Sequence, residues 1–137
     1  ATISDNIEIT ECVEVNTLNN VCYSRKPNLI KLDVEGYELN VLKGSNSVLS
    51  SSELMAIIIE LNENNDSFGY SSKEIDSYLN EYGFYRYRYD PLLRKLEEEV
   101  ELSDIAGNRI YLKVNKIDNI VTRLQTARKF TIKDVII

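Results

Sequence analysis

Asn28-Leu29-Ile30-Lys31-Leu32-Asp33-Val34-Glu35-Gly36 is a short apolar run that ends in two carboxylates and a glycine. Lys26-Pro27 breaks the chain just before it, and good helix formers fill residues 37–43 just after it. Gly44 follows as a natural residue for the position beyond a helix end. A strand that stops at acidic residues and a glycine and then turns into a helix puts side chains at the carboxyl edge of a sheet. Ligands of open α/β sheets bind at that edge. Lys31 and Asp33 are two residues apart, so an ideal strand places them on one side, where the amine holds the carboxylate ionised. Glu35 lies nearer the helix start, where its charge is favoured by the helix dipole.

A second strand is expected at residues 54–60. Leu54-Met55-Ala56-Ile57-Ile58-Ile59 is almost uninterruptedly apolar, as in a parallel strand covered on both faces, and it too ends in a carboxylate, Glu60. A helix of suitable length joins the two strands, which predicts parallel neighbours. Residues 45–52 form a polar second turn with Val48 and Leu49 facing inward. Residues 62–70 are rich in Asn and acidic side chains and read as an exposed loop at the carboxyl edge.

Around this centre the remaining elements fall in order. Ile7, Ile9, Val13 and Val15 alternate as a half-buried strand. Thr17 is a helix N-cap candidate. Ser71 and Glu74 form a capping box, with Ile75, Tyr78, Leu79 and Tyr82 at helical spacing and Gly83 as the stop. Tyr85, Tyr87 and Tyr89 alternate with Arg86 and Arg88 in a strand near the sheet edge, and Glu97-Glu98-Glu99 reads as a solvated charge run. Ile110, Leu112 and Val114 point to another strand, antiparallel to the Tyr-rich one. Ile117, Ile120, Val121 and Leu124 mark an amphipathic helix, and the β-branched end of the chain a terminal strand. The predicted core includes Ile30, Leu32, Leu42, Ile57, Ile59, Leu79, Leu112 and Val121.

Composition narrows the function. The 137 residues suit one domain, residues 1–137. A net charge of −6 argues against a nucleic-acid partner. No apolar run approaches a membrane span, so the expectation is a cytoplasmic protein with no membrane partner. The start, Ala1-Thr2-Ile3-Ser4-Asp5, reads as that of a partial chain. The two cysteines, Cys12 and Cys22, are too far apart for a close-spaced zinc motif, and there is no histidine. His-dependent triads are therefore excluded within this sequence, and any general acid or base must be Asp, Glu, Lys, Tyr or Cys.

Ile30-Lys31-Leu32-Asp33-Val34-Glu35-Gly36-Tyr37-Glu38-Leu39, continued by Val41-Leu42-Lys43-Gly44, resembles the core motif of the FkbM-type methyltransferases. Upstream, Thr17-Leu18-Asn19 resembles the family's Thr-Leu-Asp segment with Asn in place of Asp, and residues 55–61 resemble its next strand. The resemblance implies a Rossmann-like class I methyltransferase fold with S-adenosylmethionine as cofactor. It also implies O-methylation of a hydroxyl on a small-molecule or glycan acceptor, such as a sugar, polysaccharide or secondary metabolite. Such a fold normally opens with a Gly-rich turn that holds the cofactor. The five glycines, Gly36, Gly44, Gly69, Gly83 and Gly107, are widely separated. The sequence therefore reads as the C-terminal half of the domain, with parallel strands plus an antiparallel pair at its C-terminal side, inactive by itself. In that frame Asp33 and Glu60 are the catalytic candidates, and Lys31 and Glu35 the acceptor-binding ones. Two alternatives use the same stretch. Asp33, Glu35 and Glu60 could ligate a divalent cation for hydrolysis. The chain could also be a non-catalytic interaction module that dimerises through an unpaired strand edge.

Overall fold

The computed structural model describes residues 12–61, 69–100, 106–132 and 135–136. Its centre is a five-stranded sheet in the order β1-β2-β5-β3-β4, formed by β1 (Leu29–Leu32), β2 (Ala56–Leu61), β3 (Phe84–Asp90), β4 (Lys95–Glu98) and β5 (Gly107–Lys113). β1 and β2 are parallel, with Ile30 opposite Ile57 and Leu32 opposite Ile59. β2 pairs antiparallel with β5, and β5 antiparallel with β3. The expected parallel pair and the expected antiparallel pair are thus both present.

The crossover between β1 and β2 holds α2 (Glu38–Lys43) and the single turn α3 (Asn46–Leu49), whose Val48 and Leu49 are fully buried. A short α1 (Leu18–Val21) docks there, capped by Thr17, which accepts a hydrogen bond from the Asn20 amide. Asn19 Oδ1 accepts from Ser47 N at 3.0 Å and from Ser47 Oγ at 2.8 Å, tying the Thr-Leu-Asn segment to α3. Gly44 is required for space and not for handedness. Its φ is −86°, but a Cβ would stand 3.3 Å from Thr17 Cγ2.

α4 (Ser72–Glu81) starts at the predicted capping box: Ser71 and Glu74 satisfy each other's backbone amides. Its Ile75 and Leu79 are fully buried, and Gly83, at φ 78°, turns the chain into β3. Ile57, Ile59 and Leu61 of β2 meet Leu39 and Leu42 of α2 and these α4 residues in one apolar core, with Phe84 and Tyr111. Burying aliphatic side chains here stabilises by roughly 1.5–3 kcal/mol each.

The opposite sheet face is only half covered, so Ala56, Ile58 and Glu60 are partly exposed and β2 is not the fully enclosed strand its apolar run predicts. A 3₁₀ turn at Val114–Lys116 leads into α5 (Ile117–Thr126), which is amphipathic but has no fully buried residue. Val121 is consequently a partial contact and not core.

The structure qualifies three other expectations. The strand expected over residues 7–15 lies partly outside the described residues; in its described part, residues 12–15 have no regular structure and Val13 and Val15 are exposed. Among the described residues β1 has β2 as its single strand partner. In the acidic run at residues 97–99, Glu97 and Glu98 are exposed as expected, and they also belong to β4, which forms a hairpin with β3 and takes the sheet edge. In β5 Leu112 is buried as expected, but the alternate residues are buried as well. Arg109, Tyr111 and Lys113 lie on the helix-covered side, opposite Ile59 and Ile57, while Val114 is exposed. Long cationic side chains can enter such a face when their heads find acceptors. Lys113 Nζ donates to Leu49 O and Ser51 O, both at 2.8 Å, and packs over the Phe84 ring. The end of the chain pairs as a two-stranded ribbon, β6 (Thr131–Ile132) with β7 (Val135–Ile136).

Candidate functional site

Pairing and period place three sequence-predicted residues together. Lys31 lies opposite Ile58, and Glu60 is two residues beyond Ile58 on the same face. Lys31 Nζ sits 3.2 Å from Glu60 Oε2 and 3.5 Å from Asp33 Oδ2. This triad stands at the carboxyl ends of the parallel strands, on the sheet face away from α2 and α4. Its side chains remain 42%, 48% and 39% exposed for Lys31, Asp33 and Glu60. Asn108 is the residue opposite Glu60 on β5. An amine held between two half-exposed carboxylates fixes their orientation yet leaves oxygen lone pairs toward solvent. The set can accept hydrogen bonds from hydroxyls and take up a proton.

The fourth predicted residue, Glu35, has a different place. It sits in the turn after β1 with φ 49°, followed by Gly36 at φ 100°. Helix α2 does not begin at Glu35: its N-cap is Tyr37, which makes no side-chain capping bond, and the first-turn acid is Glu38. The helix-terminal role expected for Glu35 therefore belongs to Glu38. Two successive positive φ values turn the backbone out of the strand, which explains the glycine at position 36.

Sequence reasoning missed Glu38 itself. It is 1% exposed, and its Oε1 accepts from the Val34 and Gly36 amides, both at 3.3 Å. The Tyr70 hydroxyl donates to Glu38 Oε2 and in turn accepts from the Glu38 amide at 3.1 Å. Burial, then the hydrogen bond and charge of Glu38, push the Tyr70 phenol far above its ordinary pKa, so it stays a donor. The available signal was positional: a Glu two residues past the motif's glycine, and a Tyr directly before the capping box.

A second missed cluster lies under α4. Arg86 grips Asp76 with two bonds of 2.6 Å, and Tyr111 OH donates to the same carboxylate at 2.7 Å. Burial, followed by the charge and hydrogen bond of Asp76, raises the Tyr111 phenol. The cluster is almost fully enclosed, and a cavity of about 210 Å³ lined by Asp76, Asn80, Tyr85 and Arg86 lies beside it.

The cavities seen elsewhere do not coincide with the triad. One of about 380 Å³ lies along the β3–β4 hairpin between Arg88 and Glu97. An apolar one of about 220 Å³ lies between Leu29, Met55 and α5. Among the described residues no group of three His, Cys, Asp or Glu side chains is arranged to hold a metal ion. No helix among them is long and apolar enough to cross a membrane.

Fold and cluster together define an α/β domain with a polar site at the carboxyl ends of a parallel strand pair. The methyltransferase FkbM domain model matches residues 2–86, and the chain belongs to that family. No curated protein and no solved structure matches it.

Proposed function

We propose that this chain is the acceptor-side half of a cytoplasmic, S-adenosylmethionine-dependent O-methyltransferase of Rossmann-like class I fold, acting on a hydroxyl of a sugar, polysaccharide or secondary metabolite. The observation that supports it most is the Lys31–Asp33–Glu60 triad, half-exposed at the carboxyl edge within the family-matched segment. Asp33 would accept the proton of the acceptor hydroxyl, Glu60 and Glu35 would orient its neighbours, and Lys31 would hold Asp33 and Glu60 in place.

The cofactor fits this chain poorly. The sequence has no Gly-rich stretch, and the turn after β1 has a single glycine beside Glu35. The main hold on S-adenosylmethionine would come from a Gly-rich half in a longer protein, whose strand would add to the edge of β1 that no described strand covers. A second copy of this chain is the competing occupant of that edge. Calorimetry with S-adenosylmethionine tests the division of labour. Weak or absent binding by this chain is expected, with binding and methyl transfer to a hydroxyl acceptor once a Gly-rich half is joined to it. Micromolar binding by the monomeric chain alone would put the cofactor site in this half and overturn the division.

A further inference from the structure

The turn between β1 and α2 has an unusual internal brace. Four hydrogen bonds converge on it: Val34 N and Gly36 N donate to the Glu38 carboxylate, Tyr70 OH donates to its other oxygen, and the Glu38 amide donates to Tyr70 OH. The two amides flank Glu35, and Asp33 is the residue before Val34. A carboxylate 1% exposed and a tyrosine 6% exposed are costly to bury for the sake of one helix start. α2 runs for only six residues, so helix stability alone gives little reason for the arrangement. What the brace does is fix a backbone with φ values of 49° and 100° that would otherwise relax. That backbone sets where the Asp33 and Glu35 side chains point. Tyr70 reaches in from the residue before the α4 capping box, so the brace also ties the β1 turn to the start of α4.

We infer that Glu38 and Tyr70 are positioning residues of the proposed acceptor site, a buried latch that holds the turn after β1 and thereby aims Asp33 and Glu35. The inference rests on the acceptor-site reading above for what is aimed, and on the hydrogen-bond geometry for how. The latch acts through uncharged and charged partners differently. Tyr70 is a donor to Glu38 Oε2, while Glu38 Oε1 accepts from the two amides.

The test compares Tyr70→Phe, Glu38→Ala and Glu38→Gln by NMR in this chain. Two signals are read: amide hydrogen exchange of Val34 and Gly36 against Ile57 and Ile59 of β2, and the side-chain carboxyl carbon resonance of Asp33. Tyr70→Phe and Glu38→Ala should speed exchange at Val34 and Gly36 about tenfold or more, while β2 changes much less. The Asp33 resonance should move in both. Glu38→Gln keeps a carbonyl acceptor for the two amides and should restore both signals toward the parent. If Glu38→Ala does not fold, Tyr70→Phe and Glu38→Gln decide. Uniform acceleration across turn and strand in Tyr70→Phe would make the pair ordinary core and overturn the inference, as would an unmoved Asp33 resonance. Neither signal needs cofactor or acceptor. Absent methyl transfer in a Gly-rich-joined protein with an intact latch therefore counts against the functional reading alone.

Discussion

Asp76–Arg86 and Lys31–Asp33–Glu60 are both ion-pair clusters attached to the same sheet, and they stand in opposite relations to water. The Asp76 and Arg86 side chains are 7% and 3% exposed, and Tyr111 completes their hydrogen bonding. The triad is two-fifths to one-half exposed. Burial decides what such pairs do. An enclosed pair is strongly destabilising to break, because the partner left behind stays charged and out of solvent. An exposed pair adds at most about 1 kcal/mol, since water and salt compete with it. The first cluster therefore holds the antiparallel half of the sheet to α4. The second contributes little to folding, and its charges at the carboxyl edge are the ones the proposed acceptor site draws on.

The contrast can be broken at either end. Asp76→Ala should cost roughly 3–5 kcal/mol in a denaturant melt, since Arg86 would lose its bidentate partner. A loss under 1 kcal/mol would mean that Arg86 reaches water and the cluster is not structural. In the core between the two clusters, Ile57→Ala or Leu79→Ala should cost about 2–5 kcal/mol, both being fully buried. Gly36→Ala, at φ 100°, should cost roughly 1 kcal/mol or more by the same melt, from backbone strain beside the site. Lys31→Met should change stability least, within about 1 kcal/mol. A much larger loss would make the triad a folding element and erase the contrast.

Much of this half-sheet was legible beforehand because its signals are local. The apolar runs around Ile30 and Ile57, the helical segment between them and the Ser71–Glu74 capping box each determine an element without distant help. The side-by-side placement of Lys31 and Asp33 followed from the strand period, and Glu60 joined them because β1 and β2 are parallel. What the pattern hid depends on contacts far apart in sequence. Alternation alone cannot choose a face for β5. Arg109, Tyr111 and Lys113 took the helix-covered one, where Asp76 and the carbonyls at the end of α3 offer partners to Tyr111 and Lys113. The residues that fix the site turn, Glu38 and Tyr70, are 32 positions apart, and no local rule pairs them. Glu35 was taken for the helix-start acid because a helix was expected from residue 37; the positive φ at positions 35 and 36 delays it to Glu38.

The most direct measurement is made on Asp33, in a protein where this chain is joined to a Gly-rich half and transfers methyl groups. Asp33→Asn keeps size and hydrogen-bonding shape while removing the proton acceptor. Turnover with a hydroxyl acceptor should fall about a hundredfold or more, with the melting temperature and S-adenosylmethionine affinity nearly unchanged. Normal turnover in a protein that melts early would contradict the assignment and leave Asp33 as a structural partner of Lys31.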